Sequence, residues 1–150
     1  MDTPFRREFT VGWSDLDANN HMRNTAYLDA AGTARFSFFT EHGYPASRFR
    51  ELHFGPIVFK DEVEYSRELM LLETFTVNFL QDGMNRDGSI FRIVNEFWNA
   101  RGERAALVKT HGAWFNLEHR KIQAPPHELL EIMRNLPKTA SYSEILPRGS

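Results

Sequence analysis

One helical stripe in a chain that otherwise alternates is the feature that most limits the fold. Between Thr25 and Thr40, Tyr27, Ala30, Ala31, Ala34 and Phe38 fall at i, i+3, i+4, i+7 and i+11, which places them on one face of a helix. Asn24 or Thr25 can cap its start, and "HGYP" stops it with a glycine and a proline. Because the stripe is mostly alanine, the helix axis can lie unusually close to whatever it packs against.

The remaining periodic segments have the two-residue repeat of strands with a buried face. From Phe5 to Trp13 the odd positions Phe5, Phe9, Val11 and Trp13 are apolar, broken by Arg7. After a loop running to about Gly55, Ile57, Phe59, Val63 and Tyr65 share one parity, and Phe75, Val77 and Phe79 form a further run before the turn-rich "QDGMNRDGS". Phe91, Ile93 and Phe97 alternate with Ile90, Val94 and Trp98, so both faces of that strand are apolar, as in a central or covered strand. "NARGE" turns the chain into a fifth strand, Ala105 to Leu117, and a short helix follows at about Pro126 to Met133. The order is strand, helix, four strands: an α+β arrangement with one antiparallel sheet packed on one long helix. A single helix cannot cover both faces of that sheet, and a homo-oligomer is the economical cover.

Length and composition agree with one domain. The 150 residues show no composition break, and we take 1–135 as the domain and 136–150 as a polar C-terminal tail whose final "LPRGS" resembles the remnant of a cleavable tag. Thirteen phenylalanines and three tryptophans supply bulk for a core or an apolar pocket. A net charge of -2 with scattered lysines and arginines carries no nucleic-acid signature. The absence of cysteine excludes disulfides, thiolate metal sites and cysteine nucleophiles, and fits a reducing compartment. With no signal-peptide core and no run approaching the ~20 apolar residues of a membrane span, the expectation is a soluble cytoplasmic protein without a membrane partner.

The chemistry concentrates in "WSDLDANNHMRNTAY", Trp13 to Tyr27, at the junction of the first strand and the helix. Asp15, Asp17 and Asn19 open like a calcium loop, but Asn20 stands where the loop needs glycine and Ala26 where it needs a bidentate glutamate. A transition-metal set of Asp15, Asp17 and His21 has no second ligand cluster to complete it, so no metal or cofactor is assigned. Acids and asparagines before a helix often only cap its free N–H groups. Here Asp15, Asp17, Asn19, Asn20, His21 and Asn24 exceed what capping needs, and Trp13 and Tyr27, both suited to line a pocket, bracket them. The same elements suit acyl transfer, since a helix N-terminus can hold an oxyanion while an upstream carboxylate activates water or attacks a carbonyl.

These residues resemble the 4-hydroxybenzoyl-CoA thioesterase-like branch of the hotdog fold, which carries D-x-D-x-x-x-H-x-x-N-x-x-Y and an arginine eight residues later. Here the pattern reads Asp15, Asp17, His21, Asn24, Tyr27 and Arg35. The resemblance covers roughly residues 5 to 125 and implies a five-stranded antiparallel sheet wrapped around one central helix. It implies Asp17 as the catalytic carboxylate, nucleophile or general base, and the backbone N–H at Asn24 as the group polarising a thioester carbonyl. Asp15 and His21 match positions that shape the loop, and Trp13 and Tyr27 remain pocket residues. It further implies an acyl-CoA substrate and a homodimer or homotetramer with sites at subunit interfaces. The chain departs from the family at Asn20, often glycine, at Arg23, often asparagine, and at Gly32, in many members glutamate.

Two other functions fit parts of the pattern. A non-catalytic acyl- or aromatic-CoA-binding hotdog protein would keep fold and pocket without hydrolysis. A hotdog dehydratase needs a histidine–acid pair in proline- and glycine-containing surroundings, which those of His21 lack. Lys60, Arg67, Arg86 and Arg92 are candidates to face the phosphates of coenzyme A, though each also suits a solvated strand face. Phe36, Phe38 and Phe39 either limit an acyl pocket or belong to the core.

Overall fold

The computed structural model describes residues 4–147. Of the terminal "LPRGS", residues 148–150 lie outside them. Strands β1 (Arg6–Thr10), β2 (Phe54–Tyr65), β3 (Thr74–Asn78), β5 (Ile90–Asn99) and β6 (Arg104–Asn116) form one antiparallel sheet in the order β1-β3-β5-β6-β2. The short strand β4 (Leu80–Met84) continues β3 after a break at Phe79 and pairs with β5, and β7 (Lys121–Ile122) pairs with β6. The sheet curls around helix α1 (Asn24–Glu41), and a short helix α3 (His127–Arg134) closes the far end: the hotdog architecture.

The alanine stripe sets how closely helix and sheet approach. Ala26, Ala30, Ala31 and Ala34 are buried together with Tyr27, Val77, Phe97 and Val108 in one apolar cluster. A second cluster gathers Phe38 and Phe39 with Phe49, Phe54, Phe91 and Trp114. Between the two runs a polar layer. Arg35 donates from Nε to Asn95 Oδ1 at 2.8 Å and from Nη2 to Thr110 Oγ1 at 2.7 Å, and Thr110 donates onward to Asp61.

Three local differences from the sequence expectations have physical causes. The first strand ends at Thr10 rather than Trp13, because Asp15 Oδ2 accepts from the Gly12 N–H at 2.9 Å and winds residues 13–15 into a single 3-10 turn. The presumed loop before Gly55 contains helix α2 (Ala46–Leu52), entered through Pro45 and anchored by Phe49 on Trp114. The helix cap is Arg23 rather than Asn24 or Thr25, and its side chain reaches Thr25 Oγ1 and the Ser14 carbonyl instead of the helix N–H groups.

The segment "QDGMNRDGS" holds the largest surprise. Its first half is β4, and the turn is confined to the residues around Gly88, whose φ is 78°. Gln81 and Asp82 are buried despite their polarity because the C-terminal tail lies along β4 as a strap. Thr139 N donates to Gln81 O, Ser143 N to Asp82 O and Ile145 N to Met84 O, while Thr139 and Ser141 hydroxyls donate to Asp82 Oδ1 at 2.5 and 2.6 Å. Arg92 crosses beneath, donating to Ser143 Oγ at 2.8 Å. Gly83 is required there, since a Cβ would stand 2.7 Å from the Ser143 carbonyl.

Replacing Ala31, fully buried at the helix–sheet contact, with leucine should destabilise the fold by about 1–3 kcal/mol in urea unfolding, while Thr33→Leu on the exposed face should change it little. Desolvation pushes the Asp82 carboxyl up, but the Ser141 and Thr139 hydroxyls with Lys109 and Arg92 outweigh it, so its pKa lies below the ordinary 3.8. A depressed carboxylate stabilises fully above its unfolded pKa and loses that contribution as pH falls through its folded one. Protease protection of the strap should therefore hold at pH 5 and fade below the ordinary aspartate range. In Asp82→Ala the protection should already be lost at pH 5.

Candidate active site

The junction loop folds around Asp17. Its Oδ1 accepts from Asn19 N at 2.8 Å and from His21 N at 3.1 Å, while Asp17 N donates to His21 O at 2.8 Å. Asn20 takes φ 63°, the left-handed region that asparagine tolerates better than most residues and that glycine would enter freely. The loop is then stitched to the chain after β2, as Met22 N donates to Leu69 O and His21 bridges Met70. Asp17 Oδ2 has no hydrogen bond among the described residues, so one oxygen is fixed by the backbone and the other is unengaged there.

A cavity of about 390 Å³ lies at this seam. Asp17, His21, Asn24 and Tyr27 line it from the helix side, and Tyr65, Ser66, Arg67 and Glu68 from the end of β2. Asn24 is the first residue of α1, and no side chain caps that end. The neighbouring donors are committed, Arg23 N to Asp15 O and Ala26 N to Arg23 O. The N–H groups of Asn24 and Thr25 make no hydrogen bond among the described residues. A helix terminus with free donors carries partial positive charge and suits an anion or a polarised carbonyl.

The two tyrosines and the histidine complete the wall. Tyr27 is held up to about 12, chiefly by burial and then by Tyr65, Glu73, Glu68 and Asp17, so its hydroxyl remains a neutral donor. Tyr65 OH donates to the Asn24 carbonyl at 3.2 Å, tying the end of β2 to the helix entrance. His21 Nε2 lies 3.1 Å from Glu68 Oε2. Sequence reading found Asp17, His21, Asn24 and Tyr27 but not Glu68 or Tyr65, whose approach depends on how the far end of β2 meets the loop.

The other two proposed residues lie elsewhere. Asp15 spends its carboxylate on Gly12 and so shapes the turn from a position off the cavity wall. Trp13 is 81% exposed, a correction to its expected place in the pocket: the turn that ends β1 early swings the indole into solvent. Asp15 and Asp17 thus face different backbone donors and do not converge as a ligand pair. Lys60, Arg67 and Arg92 are engaged by Glu62, Glu103 and Asp82, respectively. Phe38 and Phe39 belong to the second core cluster, and Phe36 is partly exposed. Among the described residues no helix is long and apolar enough to cross a membrane.

Fold and loop together define a hotdog domain with a carboxylate and a helix N-terminus on the wall of one cavity. The family model described as the thioesterase-like superfamily matches residues 11–133, and the chain belongs to that superfamily. Its structure is similar to a hypothetical protein of Staphylococcus aureus solved in complex with CoA, at 20% identity and TM-score 0.79, covering 97% of this chain and 90% of that one. It is also similar to a 1,4-dihydroxy-2-naphthoyl-CoA thioesterase from Synechocystis, at 16% identity and TM-score 0.78, over 88% and 96% of the two chains. A DHNA-CoA thioesterase from Staphylococcus aureus matches at 16% identity and TM-score 0.71, over 79% and 78%.

Because Asp17 Oδ1 carries the turn, Asp17→Asn, which keeps an acceptor there, should unfold within about 1 kcal/mol of the native chain. Asp17→Ala, which strands two N–H groups, should lose about 0.5–2 kcal/mol. Thermal and urea unfolding of the two variants separate the loop-building role from any chemical one.

Proposed function

We propose that this protein hydrolyses an acyl-CoA thioester in the cavity between Asp17 and the start of α1. The observation that carries the reading is the division of Asp17: Oδ1 is tethered by two backbone N–H groups, Oδ2 has no hydrogen bond among the described residues, and Asp17 shares a cavity wall with the uncapped start of α1 at Asn24. The thioester carbonyl oxygen sits at the free N–H of Asn24, where charge developing on it is stabilised. Asp17 takes a proton from water, the water oxygen bonds to the carbonyl carbon, the carbon–sulfur bond breaks, and the sulfur leaves as thiolate and is protonated to the thiol. Direct attack by Asp17 reaches the same products through a mixed anhydride that water then opens. Membership of the thioesterase-like superfamily supports the reaction class. The CoA bound to the similar Staphylococcus aureus protein supports coenzyme A as the thiol carrier.

His21 and Glu68 have a supporting place in this scheme. The contact of His21 Nε2 with Glu68 Oε2 holds the imidazole on the cavity wall, and the loop it belongs to carries Asp17. Tyr27, neutral throughout the working range, is a donor for the acyl end. A homodimer or homotetramer is part of the same proposal: β2 is a sheet edge on which Val58, Phe59 and Tyr65 are exposed, and Tyr65 sits at the cavity mouth. A second copy added along that edge would bury those side chains and approach the site. A cytoplasmic location completes the reading, consistent with the cysteine-free composition.

Thiol release from a panel of aryl, short-chain and long-chain acyl-CoAs tests the assignment. Asp17→Asn should lower kcat by about 10²–10⁴-fold with KM little changed. Turnover equal to that of the native protein would remove Asp17 from the chemistry. Saturable acyl-CoA binding with no thiol release from any member of the panel would favour the non-catalytic binding protein instead. Single-turnover hydrolysis in ¹⁸O water separates the two roles of Asp17, since label enters its carboxylate only along the anhydride route.

A further inference from the structure

A second polar pocket lies away from the Asp17 cavity and shares no lining residue with it. It occupies about 330 Å³ between the end of α3, the turn after β4 and the C-terminal strap. Three cations from three elements converge on it: Arg86 from the turn, Arg134 from the last turn of α3 and Lys138 from the strap. Glu144 is the one carboxylate on its wall. Arg134 pairs with Glu131 at 3.2 Å, and Lys138 lies 4.7 Å from the centre of the Tyr142 ring. Arg86 makes no ion pair among the described residues.

The inner wall adds an independent sign of a ligand. Gln81 is 1% exposed, and its Nε2 donates to the Met133 carbonyl at a long 3.4 Å. Its Oε1 is buried without a hydrogen-bond partner. A buried acceptor left unmet is costly, and the three cations on the wall outnumber its one carboxylate. A group with several anionic oxygens satisfies guanidinium forks and an ammonium together. A hydroxyl or N–H on the same molecule would meet Gln81.

We propose that this pocket binds the phosphate of a phosphorylated small molecule that also presents a hydrogen-bond donor to Gln81, and that the docked strap is part of the site. Arg134, Lys138, Tyr142 and Glu144 lie beyond residue 133, where the match to the superfamily model ends, while Gln81, Met84, Asn85 and Arg86 lie within it. The strap supplies Lys138 and Tyr142 while docked, held by Asp82 on Thr139 and Ser141 and by its backbone bonds to β4. Ligand binding and strap docking are therefore thermodynamically linked. The phosphate can come from a free metabolite or from the nucleotide end of coenzyme A, and the chemistry of the pocket is the same for both.

The test is a low-salt titration of the full chain with inorganic pyrophosphate, and separately with adenosine 3′,5′-bisphosphate, read by calorimetry and by amide chemical shifts. Saturable one-to-one binding is expected, with shifts at Gln81, Arg86, Arg134 and Lys138. Either Arg134→Gln or Lys138→Gln should weaken it about tenfold. The double change Thr139→Val with Ser141→Ala removes no pocket side chain, yet should weaken binding by loosening the strap. Circular dichroism of each variant confirms that the fold persists. Asp17→Asn should leave pyrophosphate binding intact, so a failure of the hydrolytic reading does not touch this one. Displacement of pyrophosphate by free coenzyme A would identify the nucleotide end of the thioester as the occupant, and simultaneous binding would identify a separate metabolite. Absence of saturable binding, or binding that Arg134→Gln and Lys138→Gln leave unchanged, overturns the proposal.

Discussion

The structure depends most on the charge of Arg35, partly buried where helix α1 meets the sheet. Burial lowers its pKa to about 10 against the opposing pull of Asp61, so the guanidinium stays charged at neutral pH and must be satisfied where it lies. Asn95, fully buried, and Thr110 meet it from adjacent strands, and Thr110 passes the interaction to Asp61 on the edge strand. Apolar contacts on either side tolerate sliding, whereas a guanidinium with two assigned partners does not. This one layer therefore fixes the register of α1 against β5, β6 and β2, and keeps the two aromatic and aliphatic clusters apart. Removing one partner would strand the others in a place water reaches poorly, which makes the layer a device for specificity more than a source of net stability.

From that fixed register the helix entrance inherits its position. Tyr65, at the end of β2, closes onto the Asn24 carbonyl, and Glu68 onto His21, so the two walls of the candidate site come from a helix and a strand whose relation the Arg35 layer determines. Within the loop the polar residues divide their work. Asp15 ends the strand, Asn20 takes the left-handed turn, and Arg23 braces the entry through Ser14 and Thr25. Asp17 gives one oxygen to the turn, and it is the aspartate of the pair that lines the cavity.

Much of this was legible in the residues because it is written in local periods. The alanine stripe, the alternation of Phe91 to Phe97 and the polar crowd from Asp15 to Asn24 each report on neighbours a few positions away. What escaped was set by distant pairing. Gln81 and Asp82 read as turn because their burial is made acceptable by Thr139, Ser141 and Ser143, far along the chain and themselves polar enough to pass for a free tail. Glu68 and Tyr65 carry no local mark of a site, and their role depends on the end of β2 folding back to the loop. Trp13 failed for the opposite reason: its parity was right for a strand that ends three residues too soon, at Thr10.

The alanines of α1 bear on how finely such a site can be held. Methyl groups have no rotamers, so a contact made of Ala26, Ala30, Ala31 and Ala34 has almost no side-chain play to absorb a shift. Larger residues would let the helix breathe by repacking. Here the spacing between helix and sheet works like a machinist's gauge block, a hard stop whose tolerance passes along the rigid helix to its first turn. The position of the free N–H at Asn24 is thus decided largely by groups that lie off the cavity wall.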